Sequence, residues 1–90
     1  MNNRDFIIKS VREILAELAN ISDPDSIQDD TSLRDDLGID SMNSLMVLMR
    51  LEEAIPGFRV DPETIEASHL ETLLSICMYI LSELQEEQIA

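Results

Sequence analysis

The stretch Asp35–Ala54, DDLGIDSMNSLMVLMRLEEA, decides the fold. Its first third is acidic and turn-forming around Gly38. From Ser41 onward apolar residues return every three or four positions, the period of a helix with one buried face. Leu45, Leu48, Leu51 and Ile55 form the stripe expected to face the core. Pro56-Gly57 ends the segment, since proline cannot continue the hydrogen-bond ladder. The spacing predicts a helix over 41–55 with Ser41 at its mouth. Serine there is a favoured N-cap, accepting a hydrogen bond from the first turn.

Upstream, Asn3 is placed to cap a first helix. Ile7, Val11, Ile14, Leu15 and Leu18 follow at helical spacing, and Arg4, Lys9, Arg12, Glu13 and Glu17 fall largely on the other face. This predicts a helix over about 4–19. Residues 20–40 form a polar, acidic loop containing SDPDS. A connection this long in a compact domain must carry function or be pinned down. Ile21, Ile27, Leu33, Leu37 and Ile39 are spaced through it as pegs, with a short helical turn expected near Leu33–Leu37.

Downstream, DPET from Asp61 offers an N-cap aspartate followed by proline at the first helical position, predicting a short helix over 62–67. SHLE from Ser68 reads as a capping box between Ser68 and Glu71. It opens a last helix over about 69–85 with the stripe Leu70, Leu73, Leu74, Cys77, Ile80, Leu81 and Leu84. No strand pattern competes. The expected fold is all-α, a single-domain four-helix bundle of three longer helices and one short third helix, with a long loop between helices 1 and 2.

Composition narrows the function classes. The chain has 90 residues, 44% hydrophobic but only 3% aromatic, so its core rests on Leu, Ile, Val and Met. Nineteen acidic residues oppose six basic ones, a net charge of −13. That disfavours nucleic acid, which needs a basic patch to displace counterions, and equally disfavours anionic membranes. Partners with basic surfaces are the positive expectation. The most apolar window, LLSICMYIL, is about half a membrane span. The charged N-terminal segment lacks the apolar run of a signal peptide, so the sequon at Asn20 is read as chance and a cytoplasmic location is expected, with Cys77 reduced.

Catalysis and metal binding find little support. GIDSM is not the G-x-S-x-G elbow of hydrolases, and His69, the only histidine, reads as a surface residue beside a cap. Asp29, Asp30, Asp35, Asp36 and Asp40 crowd one region. An EF-hand loop needs an acid five residues before its glycine, however, and for Gly38 that position is Leu33. No Cys or His pair is available for zinc. The expectation is a protein without autonomous catalysis and without a metal site.

DDLGIDSM closely resembles the D-x-x-G-x-D-S-L signature of the acyl and peptidyl carrier proteins. The order of helices, the acidic loop and the charge agree with that family over nearly the whole chain. The resemblance implies that Ser41 carries 4′-phosphopantetheine, added from coenzyme A by a separate phosphopantetheinyl transferase. Ser41 then needs no activating neighbour of its own. It further implies that Asp40 supports recognition by the transferase, that Gly38 permits a close turn or a positive φ, and that the arm carries acyl intermediates as thioesters to acyl-transferring, condensing or ligase enzymes. Fatty acid, polyketide, peptide and D-alanine pathways all use such carriers. Met42 stands where the family has leucine, a conservative change. Glu52 and Glu53 match the family's acidic second helix, whereas Asn43, Met46 and Arg50 do not. Met42, Met46 and Met49 share a narrow stripe and read either as core-edge packing or as a soft docking patch. The expected molecule is a free-standing monomeric carrier. A non-carrier acidic adaptor, with Ser41 only a cap, is the competing reading.

Overall fold

The computed structural model describes residues 4–89, the side chains of Ser41 and residues 85–89 excepted. Three α-helices build it: α1 (Arg4–Ala19), α2 (Ser41–Ala54) and α3 (Leu73–Ile89). Two single-turn 3-10 segments, Pro24–Ser26 and Ala67–Leu70, lie in the connections. Among the described residues there is no strand; Ser32 and Thr72 form one isolated antiparallel bridge. The chain is therefore all-α, but it is a three-helix bundle.

The short helix expected over 62–67 does not form. Asp61 caps a single turn, its carboxylate accepting the Glu63 N–H at 2.9 Å and its carbonyl accepting those of Thr64 and Ile65 at 3.0 Å each. Good starting residues are present, but the turn has no apolar face long enough to propagate against the core. The last helix also begins later than expected. Thr72 and Ser75, rather than Ser68 and Glu71, cap it reciprocally, each side-chain oxygen accepting the other's backbone N–H at 3.0–3.1 Å. The segment before it carries a box of its own, in which Glu66 and His69 satisfy each other. Asn3, the expected cap of α1, lies outside the described residues.

At the other end of α1 the chain stops in a Schellman turn. Ile21 N–H reaches back to the Ala16 carbonyl at 2.8 Å, Asn20 N–H reaches Glu17, and Asn20 takes φ 59°. Asparagine tolerates this left-handed position better than most residues. Pro56-Gly57 ends α2, with Gly57 at φ 83°.

The core joins Ile7, Val11 and Leu15 of α1, Val47 and Leu51 of α2, and Leu73, Ile76 and Ile80 of α3, all fully buried. Ile55 and Phe58 fill the end after α2. Each such side chain contributes about 1.5–3 kcal/mol relative to exposure. Of the loop pegs, Ile27, Leu33 and Ile39 are buried, whereas Ile21 and Leu37 are half-buried against the same cluster. Arg12 adds a polar anchor, its Nε donating to the Ile27 carbonyl at 2.9 Å. Tyr79 ties down the second connection. Its hydroxyl accepts the Asp61 N–H at 3.0 Å, and its ring meets Phe58 edge-on at 6.2 Å.

Two predicted core positions are wrong. Leu45 and Leu74 are exposed, and the inward positions of α2 are Ser44, Val47, Leu48 and Leu51. Ser44 turns inward because its hydroxyl is satisfied locally, donating to the Asp40 carbonyl at 2.9 Å. On α3, Ile76 and Tyr79 are buried beyond the expected stripe.

Candidate functional site

The approach to Ser41 is a chain of local hydrogen bonds that leaves little freedom. Ser32 organises it. Its carbonyl accepts the N–H groups of Asp36 and Leu37 at 3.0 and 3.2 Å, and its hydroxyl accepts that of Asp35. The Asp36 carboxylate returns the favour, accepting the Ser32 N–H at 2.8 Å. This is the helical turn expected near Leu33–Leu37. Ile39 N–H then closes back on the Leu33 carbonyl at 2.8 Å, a reversal that puts Gly38 at φ 69°. Nothing lies within 4 Å of where a Cβ on Gly38 would sit, so the glycine is required by its backbone conformation and not by a close approach.

The same turn is fastened to the entrance of α3. Leu33 N–H donates to Glu71 O at 2.9 Å, and Leu74 N–H to Asp29 O at 3.0 Å. The loop preceding Ser41 is thus held by α3, by Arg12 of α1 and by its own apolar pegs.

Asp40, not Ser41, caps α2. It has extended φ and ψ, and its Oδ1 accepts the Asn43 N–H at 2.9 Å. Ser41 occupies the first helical position, and the capping role that would explain it structurally is filled by its neighbour. Asp40 takes up the N–H of Asn43, while that of Met42 has no acceptor among the described residues. A helix entrance in that condition, carrying about half a positive charge, suits an anionic substituent.

An open cleft of about 600 Å³ lies beside this entrance. One bank carries Arg34, Asp35, Ile39, Asp40 and Ser44; Ala67, Leu70, Glu71 and Thr72 form the other.

The remaining predicted residues lie along α2. Met42, Met46 and Met49 are exposed by 80, 48 and 63%, and Leu45, which periodicity placed in the core, joins them at 60%. The four make one apolar stripe running down the helix from Ser41. Core-edge packing therefore does not account for the methionines. The signal for Leu45 was available: 42, 45, 46 and 49 follow helical spacing as well as the buried set does. Glu52 and Glu53 are exposed beyond the stripe, but the Glu52 carboxylate accepts the Val60 N–H at 2.8 Å and so holds the following loop. Arg50 is drawn away into a salt bridge with Glu17 of α1.

Of the acidic residues near Ser41, Asp36 and Asp40 are engaged with the backbone, accepting the Ser32 and Asn43 N–H groups. Among the described residues no group of three His, Cys, Asp or Glu side chains is placed to hold a metal. Cys77, on α3, is buried in the apolar core. Burial pushes its thiol up to about 11, Asp29 adding to the rise and Arg12 opposing it. A neutral, enclosed thiol is unsuited to carrying a group for other enzymes. No helix among the described residues is long and apolar enough to cross a membrane.

Residues 9–80 match the family described as the phosphopantetheine attachment site. An acyl carrier protein of Thermosynechococcus vestitus is 31% identical over 78 residues, which cover 87% of this chain and 91% of that protein. The mitochondrial acyl carrier protein of Neurospora crassa is 25% identical over 80 residues, 89% of this chain; the match spans only 58% of that relative's length. The fit is consistent with the donors present: the Met42 N–H at the start of α2, without acceptor among the described residues, and the Arg34 guanidinium in the adjoining cleft. The matched segment runs from within α1 to within α3 and contains the whole turn–glycine–cap sequence, so the chain belongs to the phosphopantetheine-binding acyl carrier protein family, with 4′-phosphopantetheine as its cofactor.

Proposed function

We propose that this protein is a monomeric, cytoplasmic acyl carrier whose 4′-phosphopantetheine is attached to Ser41, and that it delivers acyl intermediates to enzymes of a fatty acid, polyketide or related pathway. The observation that carries the assignment of Ser41 is the division of labour at the entrance of α2: Asp40 caps, and the serine beside it occupies the first helical position. The group supplies a terminal thiol that holds acyl chains as thioesters at the end of a flexible tether.

The chain's own residues prepare attachment rather than perform it. Gly38 supplies the reversal, the Ser32–Asp36 turn fixes its start, and Asp40 sets the first turn of the helix. No base is required from this chain. A phosphopantetheinyl transferase removes the Ser41 hydroxyl proton as the oxygen–phosphorus bond forms and coenzyme A releases adenosine 3′,5′-bisphosphate. Asp40 and Gly38 serve recognition by keeping the serine in one backbone geometry. Tethering then raises the effective concentration of cargo at a docked enzyme to the millimolar range, on the order expected of short flexible links.

The exposed stripe of Met42, Leu45, Met46 and Met49 is the surface for those enzymes, with Glu52 and Glu53 as its acidic end. It adjoins Ser41, so an active site that receives the arm comes to lie against it. Methionine's flexible thioether suits a surface that must fit several partners.

Incubation with coenzyme A and a transferase tests the assignment. The wild type is expected to gain one phosphopantetheine by intact-mass spectrometry, and Ser41→Ala none while keeping its helical circular dichroism. Equal gain by both proteins would move the attachment elsewhere.

A further inference from the structure

Six side chains bring positive charge to this chain of net charge −13, and the fold disposes of them unequally. Arg12 holds the Ile27 carbonyl and approaches Asp29 at 4.0 Å, and Arg50 pairs with Glu17. Arg4 is exposed at the start of α1, and Lys9 lies on the same helix in a cleft with Arg12 and Asp29. Arg59 sits at the far end of α2 beside Met49, Glu52 and Glu53. Of the basic residues described, Arg34 alone lines the cleft that also holds Asp40, the cap just before Ser41, and Ser44 in the first turn of α2.

Arg34 is exposed and forms no ion pair among the described residues, although Asp35 and Glu71 line the same cleft. Nearby carboxylates have other duties: Asp36 holds the Ser32 N–H and Asp40 the Asn43 N–H. A phosphodiester on Ser41 would add a negative charge to a neighbourhood of Asp35, Asp36 and Asp40. Among the described residues the guanidinium is the one cation lining that cleft to offset it, and its planar fork matches phosphate oxygens. We infer that Arg34 is the counter-ion of the arm's phosphodiester and turns the root of the arm across the cleft towards residues 67–72.

This rests on the attachment to Ser41 and adds a direction to it. The far bank offers Thr72 and Glu71 to the amides of a pantetheine chain, with Ala67 and Leu70 as its apolar floor. The arm then rests on the side of the helix entrance away from the long apolar stripe, which stays free for a partner enzyme. Ionic strength weakens such a contact, because both charges are exposed and the screening length is about 8 Å at physiological salt.

Nuclear magnetic resonance of the apo and holo proteins tests this directly. On modification, the Arg34 Nε–Hε signal and the backbone amides of residues 67–72 are expected to shift, and the shifts should fade with added salt. In holo R34Q the changes at 67–72 are expected to be lost, while those of residues 42 and 43, next to the bond itself, persist. K9Q removes the same charge from α1 and is expected to retain both sets. An Arg34 signal unmoved by modification, or holo R34Q with wild-type shifts at 67–72, overturns the inference while leaving the carrier reading intact. A protein that never gains the arm overturns both.

Discussion

The outer faces of α1 and α2 show two different uses of a helix. Both helices pack an apolar stripe into the same core. The opposite face of α1 carries Arg4, Asp5, Lys9, Glu13 and Glu17, a charged surface in water. The opposite face of α2 carries Met42, Leu45, Met46 and Met49. A folding requirement alone would produce the α1 pattern, since exposed apolar side chains contribute little to stability and favour association. Apolar residues on both sides of α2 are what the docking surface proposed above requires, and folding alone does not.

Truncation on the two sides of α2 gives the largest effect. Leu51→Ala, on the inner face, is expected to destabilise by about 2–5 kcal/mol in urea unfolding. Met46→Ala should stay within about 0.5 kcal/mol of wild type. Comparable losses would show that the outer face also serves folding.

The interior can be separated from the surface by pH. Well below pH 9 the Cys77 thiol is protonated whether the chain is folded or not, and it adds no pH dependence. Between 9 and about 11 the unfolded chain ionises while the folded one keeps its proton, so stability falls as pH rises. The slope is about 1.4 kcal/mol per pH unit, approaching 2–3 kcal/mol in total. Cys77→Ala should start less stable and lack this component, as unfolding midpoints at pH 8 and 10.5 would reveal. An identical pH response in both proteins would contradict the buried, neutral thiol.

A charge placed on each outer face sharpens the contrast further. Met46→Glu is expected to leave stability unchanged but lower the rate of acyl transfer with native partner enzymes on the order of tenfold, ~1.4 kcal/mol. Glu13→Gln on α1 should leave transfer unaltered. If Met46→Glu transfers at the wild-type rate, α2 is not recognised through its apolar stripe.

The smallest effect concerns the cap. Asp40→Ala is expected to cost ~1 kcal/mol by removing the acceptor of the Asn43 N–H. Stability unaffected by Asp40→Ala would return the capping role to Ser41.

The same contrast explains what could be read from the sequence. α1 was legible because its polar and apolar residues fall largely on two faces, buried Ser10 and exposed Phe6 excepted. In α2 leucine and methionine occupy nearly every turn on every side, so periodicity identified a helix but not its orientation, and Leu45 went to the wrong face. Only the three-dimensional fit, with Ser44 bonded to the Asp40 carbonyl, chooses 44, 47, 48 and 51 as the buried set. Segment 56–72 misled for a different reason. It contains several adequate cap pairs, and local patterns cannot say which of them the core will extend into a helix. The family was legible from the stretch DDLGIDSM, and the match over residues 9–80 agrees with it. The cleft beside that stretch was not legible, since it joins residues 32–44 to 67–72 through hydrogen bonds between distant backbone groups.

The most direct test is peptide mapping by tandem mass spectrometry of the protein purified from its own cells. A phosphopantetheine, free or acylated, is expected on the fragment containing Ser41 and on no other residue. A wholly unmodified protein from cells with an active transferase, or an arm on a different side chain, would contradict it.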